Sequence, residues 1–290
     1  MNVDDLFVFS QYISPQHLLS RMAGKLANTT VPSIKNNFIE WFVEKYQVDM
    51  SEAAEPNPTA YACFNDFFTR ALKEGARPID DDPQVLCSPV DGAISQLGKI
   101  KQGQIFQAKG QSFNVNELLG GDVELAQPFI DGEFATIYLS PKDYHRIHMP
   151  ITGTLRKMVY IPGKLFSVNP VTAQKVPNLF ARNERVVAIF DTDIGPIAMV
   201  LVGAMIVASV ETTWAGLVAP MRKNVVQFDY QLDNDITIEK GEEMGRFKLG
   251  STVVLCAPAG SMEFLEGMTA EAPVRMGEPF ARKITPRAKP

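Results

Sequence analysis

At 290 residues, with 46% hydrophobic and 21% charged side chains, the chain has a globular composition and ample material for one large domain or two ordinary ones. Its net charge of −5 excludes a general nucleic-acid binder. Cys63, Cys87 and Cys256 have neither metal-type nor disulfide-framework spacing, and point to free thiols in a reducing cytosol.

The N-terminus, Met1-Asn2-Val3-Asp4-Asp5, is acidic where a secretory signal is basic. Ser14-Pro15 then predicts a helix start, with Pro15 at the first helical position, and Leu18, Leu19, Met22, Ala23 and Leu26 recur at helical spacing. A second helix follows Pro32, with Ile34, Phe38, Ile39, Phe42 and Tyr46 on one side and Trp41 at its edge. A third is expected over 63–74, with Phe64, Phe67, Phe68, Ala71 and Leu72 as its stripe and Gly75 as its cap. Such faces pack on the body of a protein or, for the first two helices, rest on a membrane surface.

Residues 76–83, Ala-Arg-Pro-Ile-Asp-Asp-Asp-Pro, read as an exposed linker. Beyond it, short apolar runs are punctuated by Gly and Pro. Strands are expected at 92–100, 133–139, 154–161, 185–191, 197–210, from 216 outward, and at 252–256, with a short helix over 115–119. The uncharged run 194–210 is too short and too interrupted by Gly195-Pro196 and Gly203 to span a bilayer, and reads as buried strands. The expected fold is α+β: amphipathic N-terminal helices, then a β-rich sandwich or distorted barrel. The expected division is a membrane-associating region, 1–75, and a catalytic region, 83–290. The basic tail from Arg282 reads as disordered.

Three stretches carry chemistry. Phe247-Lys248-Leu249-Gly250-Ser251-Thr252 opens onto the apolar run Val253-Val254-Leu255. Gly250 can take conformations closed to other residues, which leaves the Gly250–Ser251 bond open to strain; Gly-Ser-Thr before a strand is equally an ordinary turn. Pro89-Val90-Asp91-Gly92-Ala93 and Asp143-Tyr144-His145-Arg146-Ile147-His148-Met149-Pro150 add Asp and His, completing the set that activates a hydroxyl. Asp91 before Gly92 also suits a plain turn. In an extended strand His145 and His148 point to opposite faces, while Asp143 shares a face with His145 and is placed to orient it. A metal-binding reading of the His pair lacks a third ligand at local spacing, and a structural role for the pair remains open.

With Asn65-Asp66-Phe67-Phe68-Thr69-Arg70, these stretches resemble the bacterial-type phosphatidylserine decarboxylases, over about Gln16 to Pro258. The resemblance implies a self-processing proenzyme. The Ser251 hydroxyl attacks the Gly250 carbonyl to give an ester, and β-elimination cuts the chain into 1–250 and 251–290. Tautomerisation and hydrolysis then release ammonia and leave a pyruvoyl group made from Ser251. That covalent cofactor forms a Schiff base with phosphatidylserine and draws electrons from its α-carbon, so that CO₂ leaves and phosphatidylethanolamine results. Asp91, His148 and Ser251 are implied as the cleavage triad, and His145 as the group serving decarboxylation and reprotonation. Phe166 and Ser167 on a loop over 162–170, and Arg182 on a second over 178–185, are expected substrate contacts. No metal is implied. The partners are phosphatidylserine, a membrane surface and the two chains of one proenzyme; the oligomeric state stays open, a homodimer included. The expected location is peripheral, on the cytoplasmic face of the bacterial inner membrane. Two alternatives are a Ser-His-Asp hydrolase, for which the Gly-x-Ser-x-Gly elbow is missing, and a non-enzymatic lipid-binding β-sandwich.

Overall fold

The computed structural model describes residues 2–205, 209–220, 224–230, 236–248 and 251–284, and of Ser251 the backbone alone. Gly250, Leu249 and the tail 285–290 lie outside the described residues, as does 206–208 within the run expected as one strand.

Four helices come first: α1 (Val3–Ile13), α2 (Gln16–Ala27), α3 (Pro32–Tyr46) and the short α4 (Phe64–Phe68). β1 (Val85–Cys87), β2 (Gly92–Lys99) and the hairpin β3 (Gln104–Ala108) and β4 (Gln111–Asn114) lead to α5 (Val115–Leu118) and α6 (Val123–Ala126). Then come β5 (Glu133–Leu139), β6 (Arg146–His148), β7 (Gly153–Ile161), α7 (Pro170–Lys175), α8 (Leu179–Arg182), β8 (Arg185–Thr192) and β9 (Gly195–Val202). The chain continues through β10 (Ser209–Thr212), β11 (Gly216–Ala219), β12 (Val226–Asp229), β13 (Thr237–Ile238), β14 (Glu243–Lys248) and β15 (Ser251–Ala257). It closes with β16 (Met262–Phe264), β17 (Pro273–Val274) and β18 (Pro279–Lys283).

The main sheet runs β12-β7-β8-β9-β15-β5-β2-β17, with β13 also on β7; β11-β10-β14-β6 and β1-β18-β16 are smaller open sheets. β15 is flanked by β9 and β5 and buried on both faces, which is why it reads as a continuous apolar run. Its side chains alternate. Val254 and Cys256 join the core shared with Phe42, Phe64, Phe67 and Phe68 of the helices, whereas Val253 and Leu255 join the core shared with Ile147 and Phe247 of the smaller sheet. The architecture is α+β, with a helical layer on one face of the main sheet and the small sheets on the other.

Three helical expectations need correction. α1 was not expected, although Asn2 and Asp5 form a reciprocal capping box. Pro15 caps α2 from outside instead of occupying its first turn. The third helix stops at Phe68, because residues 71–73 extend against 52–54: Ala54 N–H donates to the Ala71 carbonyl and Lys73 N–H to that of Glu52. Long-range pairing here overrides a helical stripe.

Candidate active site

β2, β5 and β15 end together. Ala93 pairs with Tyr138, and Ser251 pairs with Leu139, so Asp91-Gly92, Ser140 and Ser251 gather at one edge of the main sheet. Gly92 is required there, since an added Cβ would stand 2.4 Å from the Tyr138 carbonyl oxygen. The histidines arrive from the smaller sheet. β6 pairs with β14, Glu243 opposite His148, and the Phe247 N–H donates to the His145 carbonyl at 3.0 Å. β14 therefore leaves the histidine strand at Lys248 and the chain enters the main sheet at Ser251.

The two rings differ. His148 Nδ1 lies 2.8 Å from the Gly241 carbonyl, which can only accept, so Nδ1 carries the proton. Nε2 is then the lone-pair nitrogen and accepts from the Tyr144 hydroxyl at 3.1 Å. Burial pushes that phenol up to about 12, keeping it a neutral donor, and burial also lowers the His148 pKa. His145 is fully buried, stacked on Phe68 with centroids 3.9 Å apart, and neither ring nitrogen makes a hydrogen bond. Burial first, and the Arg70 charge second, push its pKa down to about 3; the Ser140 and Pro141 carbonyls act the other way without reaching hydrogen-bond geometry.

Asp91 is buried in an ion pair that the sequence did not announce. Arg77 donates Nε to Oδ1 at 2.9 Å and Nη2 to Oδ2 at 2.5 Å, Met276 N–H donates to Oδ1 at 2.8 Å, and Glu52 takes another Arg77 bond. Between Asp91 and His148 there is no hydrogen bond; the carboxylate favours the protonated imidazole through its field. The two segments are joined by the backbone instead, His148 N–H donating to the Pro89 carbonyl at 2.9 Å. Residues 76–83 are thus no plain exposed linker, because the Arg77 side chain is only 7% exposed. Asp143 lies in a turn, not a strand, and its Oδ2 accepts from Ser140 N–H at 2.6 Å and Ser140 Oγ–H at 2.7 Å, not from His145. Burial raises its pKa.

A cleft of about 1230 Å³ opens at this edge, lined by Asp91, Gly92, Tyr138, Ser140, Asp143 and Tyr144, with Arg70 and Arg77 from the helical side. Neither histidine lines the cleft; His148 meets it through the hydroxyl of the lining Tyr144.

A family model described as phosphatidylserine decarboxylase matches residues 64–282, and one described as PSD matches 6–47. The chain belongs to the phosphatidylserine decarboxylase family. It is 64% identical to the phosphatidylserine decarboxylase proenzyme of Marinobacter nauticus over 97% of this chain and 98% of that one. It is 63% identical to the Hahella chejuensis proenzyme, over 96% and 94%, and 59% identical to that of Bordetella pertussis, over 96% and 94%. Membership of this family of carboxy-lyases leaves no support for the hydrolase or the non-enzymatic module.

The expected substrate contacts do not reach the cleft. Phe166 is buried, with Tyr12 and the Arg182 guanidinium each 4.9 Å from its ring, and Ser167 N–H donates to Gln11 Oε1. All three residues face α1. Arg70, missed as a separate residue, donates Nη2 to the Lys142 carbonyl at 3.0 Å, and Arg146 Nε donates to the Thr69 carbonyl at 2.9 Å. These two bonds and the Phe68 ring brace the turn that carries His145. Tyr144 stood inside the quoted motif, and Arg77 was the one cation in an acidic stretch.

Proposed function

We propose that this chain decarboxylates phosphatidylserine to phosphatidylethanolamine and CO₂ after cutting itself between Gly250 and Ser251. The observation that carries this reading is the register that sets Ser251 opposite Leu139, at the head of a buried central strand and beside the cleft. A chain end made there keeps 252–257 in the sheet, so the small chain stays bound.

In this reading His148 is the base. Its Nδ1–H is fixed by Gly241, leaving Nε2 to take the Ser251 proton once the Tyr144 hydroxyl gives way. Asp91, held by Arg77, stabilises the imidazolium through its field. The residues fit a pyruvoyl group: a serine heads the strand beside the cleft opposite Leu139, and the turn that follows Leu139, residues 140–143, leads to the buried His145 with its two unpartnered nitrogens. Once formed, that group supplies an electron-withdrawing carbonyl for the substrate amine. His145 is held neutral by burial, so it can pass a proton to the α-carbon only as a relay, one ring nitrogen giving up its N–H while the other takes up a proton and the ring stays uncharged.

Residues 1–75 act as the docking region and 83–290 as the catalytic region. Among the described residues no helix is long and apolar enough to cross a membrane. Leu18, Leu19 and Met22 on α2 and Trp41 on α3 are exposed, whereas Phe42 is in the core and Phe38 stacks on Phe64 at 4.4 Å. The reading is therefore peripheral attachment to the cytoplasmic face of a bacterial inner membrane, with α1 and α2 as the contact. α1 packs on α7, whose residues Ala173 to Lys175 border the cleft. The test is denaturing electrophoresis with CO₂ release on the same sample. Two chains and CO₂ are expected; one intact chain that releases CO₂ overturns the self-cleavage.

A further inference from the structure

We propose that the elbow between α1 and α2 is a binding site for the phosphate of an anionic membrane phospholipid, separate from the catalytic cleft. The proposal rests on the docking role given to these helices. A cavity of about 390 Å³ lies under the elbow, its wall including Tyr12, His17, Arg21, Lys164, Phe166 and Arg182. Among the described residues it shares no wall residue with the catalytic cleft. The wall, among the described residues, holds three permanent cations and a histidine but no carboxylate, in a chain whose net charge is −5.

The fold assembles this cluster. His17 and Arg21 stand one turn apart on α2. Lys164 follows β7 and Arg182 is the last residue of α8; the two are held side by side, with Lys164 N–H donating to the Arg182 carbonyl at 2.8 Å, and His17 Nε2 lies 3.0 Å from the Gly163 carbonyl. The Arg182 guanidinium is fixed over Phe166 at 4.9 Å and over Tyr12 at 5.6 Å. Among the described residues, the side chains of Arg21 and Lys164 have neither an ion-pair nor a hydrogen-bond partner. Glu184, whose carboxyl feels His17, is hydrogen-bonded to Tyr160 at 2.7 Å.

Charge alone would suit any small anion; the surroundings select a lipid. Ile13 at the end of α1, and Leu18 and Met22 on α2, are 70%, 49% and 61% exposed. Apolar side chains beside a cation cluster match an interface, where the chains enter the acyl boundary and the cations stay level with the phosphates. A guanidinium also takes two phosphate oxygens at once.

The test is co-sedimentation of the full chain with phosphatidylcholine vesicles, with and without phosphatidylglycerol. Phosphatidylglycerol has no amine and cannot be the substrate, so failure here is separable from failure of the decarboxylase reading. That reading is checked in parallel by CO₂ release from detergent-dispersed phosphatidylserine. Arg21→Glu with Lys164→Glu is expected to weaken binding to phosphatidylglycerol vesicles by about tenfold or more, at about 1 kcal/mol per basic residue near an anionic surface. Binding to pure phosphatidylcholine and activity in detergent should stay within about twofold. The matched pair Lys99→Glu with Lys101→Glu, outside the cavity, should cost far less. Equal losses from both pairs would mean a diffuse field and no site. No loss from the first pair, or equal binding of inorganic phosphate to the vesicle-free protein, would overturn the lipid assignment.

Discussion

The turn that ends at His145 and the strand that ends at His148 are three residues apart and place the same side chain in opposite states. His145 is sealed against Phe68 with no partner, whereas His148 has both nitrogens engaged, one by a carbonyl and one by a phenol. One ring is held in a defined tautomer with its basic nitrogen defined. The other is kept uncharged by burial. Two environments that separate two titrating groups are how one site divides base and acid roles, and they fit a division in which His148 serves the cut and His145 the later proton transfer.

The largest effect should come from removing the atom both roles depend on. Ser251→Ala is expected to give one uncleaved chain with no CO₂ release, read by gel and gas evolution; a normal two-chain product in that variant refutes the cleavage site. Next, His148→Ala should leave the chain intact, while His145→Ala should still cut itself and then decarboxylate at least a hundredfold more slowly, the scale of a lost general acid. The reverse pattern would swap the roles, and identical phenotypes would dissolve the distinction. Arg77→Met tests the support beneath it. Stripping the cation from a buried carboxylate costs about 3 kcal/mol or more, so urea unfolding should shift by that much and processing should fall with it; a loss below about 1 kcal/mol would mean that Asp91 does not depend on Arg77.

The smallest effect is on pH. The folded-state pKa of His145 is about 3, below its ordinary 6.5. Between those values the unfolded chain binds more protons, so stability drops as pH falls from about 6.5 toward 3. His148 is shifted the same way. His145→Phe keeps the stack on Phe68 and removes the titration, so its urea midpoint should decline less steeply than that of the parent between pH 6.5 and 4.5. Parallel declines would place the sensitivity elsewhere.

Some of this was legible in the sequence for physical reasons. A strand buried on both faces must be an apolar run, so Val253-Val254-Leu255 announced the centre of the sheet, and the breaks around 92, 133, 154 and 185 announced other strands of the same sheet. The Asp, His and Ser segments stood out as residue types. Their arrangement did not, because it depends on long-range register: nothing local tells that Ala93 pairs with Tyr138 or Ser251 with Leu139. Arg77 was hidden because an Arg-Pro among aspartates looks like solvent-exposed chain, yet its partners come from positions 52 and 91. Periodicity marked the apolar stripes of α2 and α3 alike, but only packing decides that Phe42 is inside while Leu18 and Met22 are outside.

The most direct test of the account is the intact mass of the small chain after purification under denaturing conditions. The account predicts a polypeptide of residues 251–290 lighter than its serine-headed form by the replacement of the amino terminus with a ketone, and resistant to stepwise N-terminal sequencing. A single chain of 290 residues in a preparation that releases CO₂, or a small chain that begins with an unmodified serine, would contradict it.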